Sequence, residues 1–267
     1  MKVYPNAKIN IGLNITKRRD DGFHELQTVF YPVPLCDVLE IEHADSSDDV
    51  FLQDGPPLDC DSKSNLVQKA VRLLREKKYI VPPLRIKLTK RIPVGAGLGG
   101  GSSDAAFAVK AINELENLGM SIVEMENLVS QLGSDCAFFV GNNPMYATGR
   151  GEVMTSIPKM PDNLIFRIIK PEFSISTGKA YSLVKPQIPL RSLVDDYQLG
   201  VEKWAGVVKN DFEQFLFPEY PQLAEYKTLL YKSGAIYASM TGSGSALFGI
   251  FDHEPILSPV LEAMRVF

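Results

Sequence analysis

From Ala7 to Ile15 apolar and polar residues alternate, with Ala7, Ile9, Ile11, Leu13 and Ile15 on one face and Lys8, Asn10, Gly12 and Asn14 on the other. A period of two predicts a half-buried strand whose polar face carries an amine and two amides. After a turn over Lys17–Gly22, Leu26–Val33, Val38–His43 and Val50–Gln53 read as further strands, and Ala44–Ser64 is otherwise polar. The period becomes helical at Leu66–Lys77, where Leu66, Ala70, Leu73 and Leu74 share a stripe. It does so again at Ser102–Leu118, whose apolar face is Ala105, Ala108, Val109, Ile112 and Leu115 and whose stop is Gly119. Val123–Leu132 is a third helix, while Leu84–Thr89, Ala137–Val140, Val153–Ile157 and Leu164–Lys170 read as strands. Helices follow at Thr177–Leu183, from Leu193 to Phe217 and at Gln222–Ser233; Ala235–Met240 and Ala246–Phe251 flank a Gly/Ser turn, and a terminal helix closes the chain. Hairpins mixed with helices, without internal repeats, predict an α+β fold in two lobes. The expected division is 1–157 and 158–267.

One segment is costly enough to need a reason. Pro93-Val94-Gly95-Ala96-Gly97-Leu98-Gly99-Gly100-Gly101-Ser102-Ser103-Asp104 lies between a strand and a helix start. Each glycine loses more backbone entropy on folding than any other residue. Together they let the main chain approach a ligand and turn its N–H groups inward, while the following helix adds free donors and a positive dipole end. Ser102 and Ser103 are suited to cap that helix or to donate to phosphate oxygens. The chemistry implied is anion binding, with polyphosphate the usual anion; a flexible linker would not normally abut a well-patterned helix. No Lys follows the glycines, so this is not a Walker A loop. The GxGxxG match is weak, because a dinucleotide fold wants an acidic residue closing a second strand, and Glu114 and Glu116 lie inside the helix instead. Protein-kinase signatures are absent.

Two further residues acquire meaning beside that turn. Asp135, in Gly133-Ser134-Asp135 before an apolar run, suits a general base toward a hydroxyl, although an Asp there is more often a turn residue. Lys8 alone reads as solvated; beside Asp135 it would favour the ionised carboxylate and temper charge on an attacking oxygen. Thr241-Gly242-Ser243-Gly244-Ser245 reads first as a plain hairpin.

Composition narrows the class. Hydrophobic residues make up 45% of 267, enough for large cores, and the net charge of −4 lacks the basic footprint of a nucleic-acid binder. Cys36, Cys60 and Cys136 are scattered, as are the three histidines, which suggests no zinc site and a reducing, cytoplasmic setting. No signal peptide or membrane span is expected.

With these segments in view, Pro93–Ala106 resembles the glycine-rich motif of the GHMP kinase superfamily, which includes galactokinase and the homoserine and mevalonate kinases. Ala7-Lys8-Ile9-Asn10-Ile11-Gly12-Leu13 and Arg19-Asp20-Asp21-Gly22-Phe23-His24 resemble one branch of it, the 4-diphosphocytidyl-2-C-methylerythritol kinases of non-mevalonate isoprenoid synthesis. The similarity runs from Pro5 to Phe251. The resemblance implies a ribosomal-S5-domain-2-like N-terminal lobe with a left-handed crossover, a ferredoxin-like C-terminal lobe, and ATP-dependent phosphorylation of the substrate 2-hydroxyl. It implies Lys8 and Asp135 as the catalytic pair and Pro93, Val94, Gly95, Ala96, Gly97, Leu98, Gly99, Gly100, Gly101, Ser102 and Ser103 around ATP. Asn65 and Lys90 match positions on the adenine side. Asn10, Phe23, His24, Thr177 and Tyr181 match substrate positions, with His24 at the cytosine edge and Tyr181 opposing Phe23. Phe23 stands where Tyr is usual, and Cys136-Ala137 replaces the common Val-Pro. Mg2+ is expected with the phosphates, its protein ligands unassigned. The expected partners are small molecules only, neither nucleic acid nor membrane. Rival readings are another kinase of the superfamily, a catalytically silent nucleotide binder and, third, a dinucleotide oxidoreductase.

Overall fold

The computed structural model describes residues 1–55 and 65–267; Cys60 and part of the polar segment before the first helix lie outside them. In chain order the strands are β1 (Lys2–Val3), β2 (Asn6–Arg18), β3 (His24–Cys36), β4 (Val38–His43), β5 (Val50–Asp54), β6 (Leu84–Thr89), β7 (Met145–Thr148), β8 (Val153–Ser156), β9 (Ile165–Ile169), β10 (Tyr237–Met240) and β11 (Leu247–Phe251). The helices are α1 (Leu66–Glu76), α2 (Gly100–Leu115), α3 (Ile122–Val129), α4 (Phe138–Gly141), α5 (Thr177–Leu183), α6 (Leu193–Gln198), α7 (Asp211–Glu219), α8 (Pro221–Lys232) and α9 (Pro259–Ala263). The α+β class expected from the sequence is what forms. Among the described residues no helix is long and apolar enough to cross a membrane.

The chain divides into two compact units that interleave along the sequence. One comprises Met1–Ala7, Pro34–Val94 and Gly99–Asn143; the other comprises Lys8–Val33, Gly95–Leu98 and Pro144–Phe267. In the first, strands run in the order β1-β4-β6-β5, with β5 parallel to β6 across the connection that contains α1. Asn65 starts α1 by accepting the Val67 N–H at 2.8 Å, and α3 starts on a Ser121–Glu124 capping box. Helix α2, buried along Ala105, Ala108, Val109 and Ile112, packs on α1, α3, α4 and β4. The second unit holds a sheet of order β2-β3-β7-β8 and a three-stranded antiparallel sheet, β10-β11-β9. Its core gathers Leu13, Ile15, Ile169, Phe212, Leu216, Leu230, Met240 and Phe251.

Three expectations needed correction. Strand β2 is buried on both faces, with Lys8 at 4% and Asn10 at 2% exposure, because its polar side chains are taken up by hydrogen bonds rather than by water. Ala137–Val140 is not a strand: bonds from Cys136 N to Gly133 O and from Phe139 N to Cys136 O wind it into a turn and then α4, ended by Asn142 in the left-handed region. A short run that is apolar on every side carries no period to separate buried strand from buried helix. The stretch Leu193–Phe217 breaks into α6, a 3-10 turn at Val201–Lys203 and α7, since Gly200 and Gly206 take positive φ and Asn210 caps a fresh helix. Strands β1 and β7, too short for periodicity, were not foreseen.

Candidate active site

The glycine-rich segment takes the backbone that its composition demands. Gly95, Gly97 and Gly99 have φ of 65°, 78° and 71°, in the left-handed region that side chains avoid. A Cβ on Gly95 would meet nothing within 4 Å, whereas one on Gly97 would lie 2.4 Å from the Thr241 carbonyl oxygen. The two apolar residues between the glycines, Ala96 and Leu98, are each 1% exposed and anchor the turn, and the Leu98 carbonyl accepts the Lys8 N–H at 3.0 Å.

Helix α2 starts two residues earlier than expected, and neither Ser102 nor Ser103 caps it. Gly99 is the N-cap residue and no side chain bonds to the first turn. Helix geometry therefore leaves the N–H groups of Gly100, Gly101 and Ser102 without intrahelical partners. The run of three glycines permits this, because Gly99 reverses the chain directly into helical backbone. Ser103 Oγ and Asp104 Oδ1 are buried with no hydrogen-bond partner among the described residues. Pro93 and Val94 lead in, Val94 being exposed.

Against the start of α2, in the same unit, lies a buried charge cluster. The Lys90 ammonium donates to Asp37 Oδ2 and, at 2.9 Å, to Asp104 Oδ2. Asp37 Oδ1 also accepts the backbone N–H groups of Arg91 and Ile92. Burial works against the charged lysine, but the two carboxylates outweigh it and raise Lys90 above its ordinary value. Burial first, with the Asp37 charge adding, pushes Asp104 up to about 7 despite Lys90. The sequence reading placed Lys90 beside adenine and did not mark Asp37 or Asp104. Their signal was legible as single carboxylates inside apolar runs, Leu35–Leu39 and Asp104–Val109. Asn65 spends its side-chain oxygen on the α1 cap. Asp135 sits half-buried in the turn before α4, next to the buried Cys136 thiol, which burial pushes up to about 11.

The other unit organises Lys8. Its ammonium donates to Asn10 Oδ1 at 2.6 Å and stands 5.1 Å from the centre of the Phe30 ring. Asn10 is oriented in turn: its amide donates to Thr28 Oγ1 at 3.0 Å, and Thr28 donates to the Gly12 carbonyl. Thr241 Oγ1 accepts the Asn10 N–H at 3.0 Å and donates to the Gly97 carbonyl at 3.2 Å. One hydroxyl thus joins β2, the glycine-rich turn and the second Gly/Ser turn. The sequence pointed to Asn10 but not to Thr28 or Thr241.

The aromatic candidates also gather in this unit. The turn over Arg19–Phe23 is braced by Asp21, which accepts the Phe23 N–H, and by Arg19 on Glu25. Phe23 is 54% exposed, with the Arg150 guanidinium 4.9 Å from its ring centre. His24 stacks on Tyr181 at 4.9 Å and 26°, and Tyr181 meets Phe212 edge-on. Burial lowers His24, so its imidazole is neutral at pH 7 and offers one donor and one acceptor. Thr177, at the start of α5, has its hydroxyl 3.4 Å from that of Ser243.

The family profile described as GHMP kinases N terminal domain matches residues 65–142, and that described as GHMP kinases C terminal matches residues 202–265. The 4-diphosphocytidyl-2-C-methyl-D-erythritol kinase of Porphyromonas gingivalis is 46% identical over 259 residues, covering 96% of this chain and 94% of that protein. A solved 4-(cytidine 5'-diphospho)-2C-methyl-D-erythritol kinase is 30% identical with a TM-score of 0.78, covering 99% of this chain and 96% of that one. A homoserine kinase from Cytophaga hutchinsonii shares the fold at 19% identity, with a TM-score of 0.67 over 93% of this chain and 85% of its own.

Proposed function

The chain belongs to the 4-diphosphocytidyl-2-C-methyl-D-erythritol kinases, a branch of the GHMP kinases, and on that premise we propose that it transfers the γ-phosphoryl group of ATP to the 2-hydroxyl of 4-diphosphocytidyl-2-C-methyl-D-erythritol. The observation that carries the reading is the succession of left-handed glycines running into an α2 start that no side chain caps. Phosphoryl transfer asks a protein mainly for alignment and neutralisation of charge, and converging main-chain N–H groups supply both. In this reading the N–H groups of Gly95–Ser103 hold the β- and γ-phosphates. Asp135 accepts the hydroxyl proton as oxygen attacks phosphorus, and Lys8, steered by Asn10, stabilises the developing charge. Phe23 offers a stacking face to the cytosine, and the neutral His24 reads the base edge beside Tyr181 and Thr177. The reaction runs in the cytoplasm, where ATP is available.

The described residues contain no group of three or more His, Cys, Asp or Glu side chains able to hold a metal ion. Among the described residues there is no protein-built cage. Magnesium held by few protein ligands would enter with the phosphates of the nucleotide and would supply neutralisation of their charge.

The test is ADP release with the cytidylyl alcohol beside mevalonate, homoserine and galactose, run on the wild type and on Asp135→Ala. The expected result is turnover with the cytidylyl alcohol alone, and a kcat at least about a hundredfold lower in the variant, as loss of a general base implies. Turnover with another acceptor instead would overturn the substrate. An undiminished kcat in Asp135→Ala would remove Asp135 from the chemistry.

A further inference from the structure

Lys90 is one cation between two carboxylates, all nearly inaccessible: its side chain is 2% exposed, that of Asp37 0% and that of Asp104 3%. Such an arrangement is a poor way to stabilise a fold, because burying three charges costs more than their attraction returns unless the geometry is excellent. One carboxylate oxygen of Asp104 also lacks a hydrogen-bond partner among the described residues, a cost seldom kept without reason.

Position supplies a reason. Asp37 grips the chain just before Pro93, through the Arg91 and Ile92 N–H groups. Asp104 projects from α2 three residues after the last glycine, where the helix is already wound. Lys90 bonds to both, so the cluster ties the residues that precede the glycine-rich turn to those that follow it. Gly100 completes the fit: a Cβ there would lie 3.1 Å from Lys90 Nζ and 2.9 Å from Ile92 Cγ2. A side chain at position 100 would push α2 off its anchor.

We propose that Asp37, Lys90 and Asp104 are positioning residues, which fix the two ends of the glycine-rich turn so that its N–H groups are already gathered when the phosphates of a nucleotide arrive. The proposal rests on the reading of that turn as the phosphate site. Lys90 acts through the main chain that its two carboxylate partners hold. A flexible glycine run would otherwise lose its freedom on binding, and preorganisation removes that loss from the affinity.

The charge balance makes the proposal testable without unfolding the protein. Removing either carboxylate leaves Lys90 with the other, a neutral buried pair, so Asp104→Asn and Asp37→Asn each retain a compensated cation. Charge alone and positioning predict opposite signs. Deleting a negative group beneath an anion site would tighten phosphate binding, whereas loosening the turn weakens it. Calorimetric affinities for ADP and AMP, measured on the full chain at pH 8, isolate the phosphate contribution as their ratio. The expected result is a wild type that prefers ADP and an Asp104→Asn variant whose ADP-over-AMP ratio falls about tenfold, with near-wild-type thermal stability. Asp37→Asn is expected to behave alike and serves if the first variant does not fold. A ratio unchanged or raised in the folded variants, with the wild type preferring ADP, would overturn the positioning role and leave the phosphate site standing. A wild type without preference for ADP would overturn both.

Discussion

The chain contains two turns rich in glycine and small residues, and only one of them runs into a helix start that no side chain caps. Between Gly95 and Gly101 the main chain takes left-handed steps, Gly95 opens on empty space, and α2 begins without a side-chain cap. The turn Thr241–Ser245 between β10 and β11 also takes left-handed steps, at Gly242 and Gly244, but it spends its polar groups on the protein. Its Thr241 and Ser245 are fully buried, Ser245 Oγ donates to the Phe173 carbonyl at 2.6 Å, and Asn210 donates to the carbonyls of Met240 and Gly242. Glu213 takes the Met240 N–H at 2.8 Å. Polar groups spent on protein partners make a rigid support, and N–H groups left unspent make a binding surface. Glycine and serine allow both outcomes, so composition alone does not separate them.

Substitutions can break this contrast, the most severe where the two turns touch. Gly97→Val would drive a Cβ toward the Thr241 carbonyl oxygen, 2.4 Å away, from a φ of 78°. A clash of backbone against Cβ with added left-handed strain costs on the order of 3–5 kcal/mol. Melting temperature and ADP release should fall together, and a variant with unchanged values would mean that the turns do not support one another. Gly95→Ala is the cleaner probe, with no neighbour within 4 Å to strike. Left-handed alanine costs roughly 1–2 kcal/mol, so stability should drop modestly, while the KM for ATP rises about tenfold and that for the alcohol does not. Equal movement of both KM values would remove the turn from nucleotide binding.

Ser245→Ala addresses the supporting turn and should show the opposite split. Loss of one buried hydrogen bond costs about 1 kcal/mol, visible in urea unfolding, with both KM values unchanged. The last prediction is a slope with pH rather than a single value. Asp104 is raised from 3.8 to about 7 in the folded protein, so between those values the native state holds the proton more tightly than the unfolded chain. Its contribution to stability is complete below about pH 4 and is lost as the pH climbs to about 7. Asp104→Asn should therefore gain stability relative to wild type across that interval, and parallel pH curves would show that Asp104 titrates normally.

Much was fixed locally. The strand β6 and the helix α5 have the bounds that periodicity indicates, and the caps Asn65, Ser121 and Ser176 start helices because their side chains reach their own backbone. The glycine-rich turn was equally plain, since five glycines within seven residues restrict what the backbone can be for. Tertiary structure alone decided the rest. Whether the polar face of β2 meets water depends on Thr28, Phe30 and Thr241, and the partners of Lys90 lie 53 and 14 residues away in sequence. Periodicity reports how a residue faces its own element, and it is silent about what the far side of the chain brings to that face. Buried charges and shared hydroxyls are settled by such encounters, so they become visible only when distant segments are folded together.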